Sequence, residues 1–119
     1  MGQALKPTAL VVEDDEFQRS LMSILLEESD MTVIQCGSAE AAVSVLEYSE
    51  VSMMFTDVDL AGRMDGIELA YVAKEKFPNL HIIVTSGTSP ARFLPDGTVF
   101  MAKPWNSIDV LREAQKLFH

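Results

Sequence analysis

Short apolar runs alternate with longer stretches of helical periodicity along the whole chain. Residues 9–12 are apolar but too few for a helix, so they predict a strand buried on both faces. Asp15 follows as an N-cap, with Gln18 three residues on as in a capping box. Phe17, Leu21, Ile24, Leu25 and Glu28 then recur at helical spacing and predict a helix over 16–29 with one apolar face. Residues 32–36 are β-branched and apolar, a second strand. Gly37-Ser38 breaks it, and Ala39, Ala42, Val43 and Leu46 mark a second helix. Residues 51–56 form a third strand, and a turn-rich stretch over 60–65 ends in Asp65-Gly66, with Glu68 completing a second cap. Ile67, Ala70, Val72, Ala73 and Phe77 make a third helix, which stops before Pro78. Residues 80–85 are a fourth strand. Residues 86–97 carry two glycines and two prolines (Pro90 and Pro95), leaving room for a turn or two of helix at most. Residues 98–102 are a fifth strand. Asn106 caps a terminal amphipathic helix built on Ile108, Leu111, Ala114, Leu117 and Phe118. Strands alternating with helices in this way predict an α/β fold, a parallel sheet with helices on both faces.

Length and composition narrow the possibilities. A chain of 119 residues makes one domain, able to bury roughly 65–70% of its unfolded surface without staples. Hydrophobic residues at 48% and charged residues at 23% exclude disorder. The net charge of −9, with no cluster of Lys and Arg, argues against nucleic acid or an anionic membrane as partner. The one cysteine, Cys36, cannot form an internal disulfide and lies in an apolar run, as expected of a buried thiol in a reducing compartment. Residues 1–8 lack the core of a signal peptide, and no stretch approaches the ~18 apolar residues of a membrane span. The expectation is a single cytoplasmic domain over 1–119, ending with its last helix and carrying no output domain.

The chemistry lies at the strand ends. Glu13-Asp14-Asp15 follows the first strand, and Asp57 and Asp59 follow the third. If those strands are parallel neighbours, the carboxylates converge at one edge of the sheet. Like charges so placed repel and raise each other's pKa, which calls for a cation. Carboxylates with open positions suit Mg²⁺, which keeps waters and takes phosphate oxygens. In open α/β sheets ligands bind outside the carboxyl ends of the strands. That rule adds Thr85-Ser86 and Lys103-Pro104 to the same pocket. A carboxylate can act as nucleophile toward a phosphoryl group, with a lysine, a hydroxyl and Mg²⁺ stabilising the charge that develops.

LVVEDDE at 10–16, FTDVDLAGRMDG at 55–66, VTSG at 84–87 and FMAKPW at 100–105 together resemble a response-regulator receiver domain of two-component signalling, over nearly the full length. The resemblance implies a flavodoxin-like, doubly wound sheet of strand order 2-1-3-4-5. It implies that Asp57 is the phosphoryl acceptor, and that Mg²⁺ is held by Asp14, by Glu13 largely through water, by Asp57 and by the backbone carbonyl of Asp59. Thr85 and Lys103 match the hydroxyl and the cation that meet phosphoryl oxygens, Phe100 matches the aromatic switch position, and Lys103–Pro104 matches a cis peptide. The implied phosphoryl donor is a histidine kinase or histidine phosphotransfer protein, and the output is a protein–protein contact made by the surface of the fourth and fifth strands.

Three departures from the family pattern accompany the match. Asp65 lies eight residues after Asp57 rather than seven, with Arg63 as the apparent insertion and Ala61 where proline is common. The stretch between Thr85 and Phe100 is short and proline-rich, so the fourth helix is truncated or absent. Gly87 stands where a larger side chain often shields the phosphoryl group. Two other readings are open: a pseudo-receiver that binds without being phosphorylated, and a haloacid-dehalogenase-like phosphatase, which Asp57-Val58-Asp59 also resembles. His81 and His119 are isolated and are assigned no phosphoryl or metal role.

Overall fold

The computed structural model describes residues 6–90 and 92–118. The apolar runs become β1 (Thr8–Val12), β2 (Thr32–Cys36), β3 (Met53–Asp57), β4 (His81–Ser86) and β5 (Val99–Ala102). Between and after them come α1 (Glu16–Glu28), α2 (Ala39–Tyr48), α3 (Gly66–Lys76) and α4 (Ser107–Gln115). The strands form one parallel sheet of order β2-β1-β3-β4-β5, the flavodoxin-like arrangement. Residues 87–98 contain no helix among the described residues, in keeping with the expectation of a fourth helix truncated or absent.

Each strand presents alternate side chains to opposite layers. Leu10, Val12, Met54, Ile82 and Val84 pack on one face against Ala39, Ala42 and Leu46 of α2 and Leu69, Ala70 and Ala73 of α3. Ala9, Val11, Met53, Phe55 and Ile83 pack on the other against Met22 and Leu26 of α1 and Val110 and Ala114 of α4. The central strand β3 is buried along its whole length, so its end is held rigidly.

The helix faces correct two expectations. In α1 the buried residues are Met22, Ser23 and Leu26, while Phe17, Leu21 and Ile24 are 71%, 42% and 50% exposed. That helix carries two apolar stripes, and the one that meets the sheet is centred a residue or two away from the stripe with the more regular spacing. The Ser23 hydroxyl is accommodated inside by donating to the Arg19 carbonyl at 2.7 Å. In α4 it is Val110, with Ala114, that enters the core, and Ile108 is 58% exposed.

The caps account for where the helices start. Asp15 accepts the Gln18 N–H, but its own N–H goes to Glu13 Oε2 at 3.1 Å, so only half of the expected capping box forms. Asp65 and Glu68 make a complete box at the start of α3. There Gly66 is required by packing: a Cβ at that position would lie 1.9 Å from the Asp57 carbonyl oxygen. The glycine lets α3 begin in contact with the end of β3.

Candidate functional site

Four strand ends meet at the carboxyl edge of the sheet. Asp57 is the last residue of β3 and is 5% exposed. The β3–β4 register pairs it with Thr85, so those two side chains stand side by side. Val12 pairs with Thr56, which brings Glu13 alongside Asp57 one step further on. Lys103 follows β5 and reaches inward, its Nζ 2.7 Å from Asp57 Oδ2 and 3.3 Å from Glu13 Oε1. The Lys103–Pro104 peptide is cis, as expected.

The electrostatics follow from this crowding. Burial pushes the Glu13 carboxyl from its ordinary 4.5 up to about 7; the negative charge of Asp57 adds to the rise, and the Asp15 N–H opposes it. Burial works against the Lys103 charge, but its hydrogen bond to Asp57 and the charges of Asp57 and Glu13 outweigh that and raise its pKa. Lys103 is thus held as a cation between two carboxylates.

Asp14 is exposed at the mouth, where its Oδ2 accepts the Ala61 N–H at 3.2 Å. Asp59 is also exposed, and its N–H donates to Asp57 Oδ1 at 3.2 Å. Both Asp57 oxygens are therefore engaged, one by a cation and one by an amide. Thr85 is 2% exposed, and its Oγ1 has no hydrogen-bond partner among the described residues. Ser86 differs: its hydroxyl accepts the Thr88 N–H at 3.2 Å. Phe100 pairs with Val84, the residue before Thr85, and is 37% exposed.

The donor set fits Mg²⁺ without enclosing it. Among the described residues no group of three His, Cys, Asp or Glu side chains forms a metal cage. Mg²⁺ does not require one, since it binds through one or two carboxylates and keeps waters and phosphate oxygens. An exposed carboxylate on Asp14 beside the buried pair Glu13 and Asp57 provides that chemistry. Cys36 takes no part: it is buried, and burial raises its thiol pKa against the opposing charge of Arg19.

Several contributors had no sequence signal. Arg19 Nη1 donates to the Glu13 carbonyl at 2.7 Å, fixing the turn after β1. Glu40 of α2 reaches the loop after β3 and accepts the Met64 N–H at 3.2 Å. His81, expected to be isolated, is bonded to Glu113 Oε1 at 2.9 Å, away from the pocket. His119 lies outside the described residues. Asp109 pairs with Arg112, and Glu113 with His81 and Lys116. The acids downstream of Lys103 are therefore engaged on α4, and a phosphatase of the haloacid-dehalogenase kind would need them at the site.

The model of the response regulator receiver domain matches residues 9–113. The chain belongs to the response-regulator receiver family. It is 29% identical over 113 residues to the response regulator receiver protein CpdR of Brucella abortus, covering 91% of this chain and 93% of that protein. It is 33% identical over 88 residues to the autoinducer 1 sensor kinase/phosphatase LuxN of Vibrio harveyi, covering 74% of this chain but only 10% of that kinase. Among solved structures, a response regulator receiver protein from Sinorhizobium medicae superimposes with a TM-score of 0.85 at 23% identity, covering 94% of both chains. One from Pseudomonas putida does so with a TM-score of 0.82 at 23% identity, over 96% of this chain and 99% of that one; at that identity the likeness bears on the fold.

This is thus a receiver domain of two-component signalling. No helix among the described residues is long and apolar enough to cross a membrane.

Proposed function

We propose that this receiver accepts a phosphoryl group on Asp57 from a cytoplasmic histidine kinase or histidine phosphotransfer protein and passes the signal on by protein contact. The observation that carries the reading is the register pair Asp57–Thr85 with Lys103 beside it: a buried carboxylate, a lysine at 2.7 Å and a buried, unpartnered hydroxyl. A buried hydroxyl without a partner is costly unless a ligand supplies one. A phosphoryl oxygen on Asp57 supplies it.

An Asp57 carboxylate oxygen attacks phosphorus, the P–N bond to the donor imidazole breaks, and the imidazole leaves with the electron pair. Lys103 then transfers its contact from the carboxylate to a phosphoryl oxygen, and Thr85 donates to another. Asp14, Asp57, Glu13 through water and the Asp59 carbonyl would hold Mg²⁺, which when bound would neutralise charge on the transferring group. Drawing Thr85 toward the phosphoryl group opens space along β4 for Phe100 of the neighbouring strand to turn inward, which changes the outer surface of β4 and β5. Beside the mouth, Leu21 with Pro104 and Trp105 lines an apolar cavity of about 470 Å³, a surface on which a donor protein can seat.

Intact-mass measurement after incubation with acetyl phosphate and Mg²⁺ tests this directly. One hydroxylamine-labile phosphoryl adduct is expected in wild type and none in Asp57→Asn. A chain that takes no adduct and is not perturbed by beryllofluoride would be a pseudo-receiver, and the reading would fail.

A further inference from the structure

The loop after β3 is longer by one residue than the pattern of its family, yet it closes onto α3 at a glycine that admits no slack. Within it, next to the apparent insertion at Arg63, Gly62 turns the chain with φ +106°. Against that turn lies a side chain from a different element. Glu40, in the first turn of α2, accepts the Met64 N–H at 3.2 Å. Its other oxygen is so near Gly62 that a Cβ there would stand 3.0 Å from it. The residue just before Gly62 is Ala61, whose N–H holds Asp14 Oδ2.

We infer that Glu40 is a positioning residue for the acceptor site, clamping the 62–64 turn so that the Ala61 N–H orients the Asp14 carboxylate at the pocket mouth. The inference rests on the proposed phosphoryl-acceptor reading, in which Asp14 is a cation ligand. Asp14 is exposed, and an exposed Asp side chain rotates among several rotamers unless something holds it. The amide at Oδ2 selects one orientation and leaves Oδ1 for a cation. The described contacts of Glu40 are with Gly62 and Met64 of the loop, so it acts on the site through the loop. Removing the clamp makes Asp14 bear the ordering cost when a cation arrives.

The test compares Glu40→Ala, which loses the acceptor, with Glu40→Gln, which keeps an amide oxygen in its place. Three quantities are read on the full chain: Mg²⁺ affinity by calorimetry with the metal alone, amide exchange at Ala61 and Met64, and lifetime of the acetyl-phosphate adduct. Glu40→Ala should bind Mg²⁺ about two- to five-fold more weakly, the loss expected for one largely exposed hydrogen bond, and should exchange both amides faster. Glu40→Gln should restore both to near wild type, and because Glu40 is exposed the melting temperature of Glu40→Ala should fall by no more than about two degrees. Equal Mg²⁺ affinity in Glu40→Ala and wild type would overturn the inference, as would a Glu40→Gln variant as weak as the alanine. If wild type itself takes neither Mg²⁺ nor a phosphoryl group, the acceptor reading fails first and the role of Glu40 fails with it. A change in adduct lifetime in Glu40→Ala that Glu40→Gln reverses would support the clamp.

Discussion

The two loops that depart from the family pattern, 58–65 after β3 and 87–98 after β4, are held in opposite ways. The first is tied down almost residue by residue: the Leu60 N–H to the Val58 carbonyl, the Ala61 N–H to Asp14, the Met64 N–H to Glu40, and the capping box at Asp65. The second contains no helix and, among the described residues, meets α3 and its cap through two side-chain hydrogen bonds. Tyr71 donates its hydroxyl to the Phe93 carbonyl at 2.7 Å, and Arg92 pairs with Asp65. Phe93 itself is left 92% exposed. An insertion is thus absorbed where neighbouring strands and helices supply acceptors from both sides. The shortened stretch at the margin of the sheet has fewer ties: besides those to α3 and its cap, the Thr88 N–H donates to Ser86 Oγ of β4 and Leu94 packs on the core.

That contrast can be broken most severely at Gly66. Adding a methyl there places it 1.9 Å from the Asp57 carbonyl oxygen. Gly66→Ala should lose about 3 kcal/mol or more, seen as a collapse of the melting temperature or loss of folded protein.

A second test concerns what the tethered loop does not reach. Its N–H groups meet Asp14 and Asp57, whereas Glu13 takes its backbone donor from Asp15. Glu13 titrates near 4.5 when unfolded and about 7 when folded. Between those values the folded chain retains a proton that the unfolded chain has released, so rising pH favours unfolding. Denaturant melts in a chelator should show stability falling from pH 4.5 to 7, by roughly 1–2 kcal/mol, and levelling beyond. Glu13→Gln should flatten that slope.

Gly62→Ala separates the turn from its clamp. The residue must adopt φ +106°, a conformation that costs a side chain roughly 1–2 kcal/mol, and it crowds Glu40. The melting temperature should fall by a few degrees, and Mg²⁺ affinity should fall with it. Tyr71→Phe should act on the other loop alone: stability lower by about 0.5 kcal/mol, faster chymotrypsin cleavage after Phe93, and an unchanged adduct lifetime at Asp57. Arg92→Ala, breaking a half-exposed pair, should change stability by under about 0.5 kcal/mol.

Much of the site is legible from sequence because a parallel sheet converts strand ends into a line. Glu13, Asp57, Thr85 and Lys103 each close an apolar run, and parallel pairing leaves them nowhere to go but one edge. Helix faces were less legible. Periodicity identified the stripe Phe17, Leu21 and Ile24 in α1, but the helix has a second stripe at Met22 and Leu26, and spacing alone does not say which of two stripes meets a sheet. Glu40 and Met64 are twenty-four residues apart with no pattern joining them, so only closure of the chain reveals their contact.

The sequence by itself determined the order and kind of the elements, the parallel sheet, and the chemistry at its carboxyl edge, because burial period and strand-end residues are local properties of the chain. The tertiary structure decided which face of each helix is buried and that Glu40 and Tyr71 tie the two unusual loops in place. Those outcomes depend on which groups from distant segments come within hydrogen-bonding reach, and no local pattern encodes that distance.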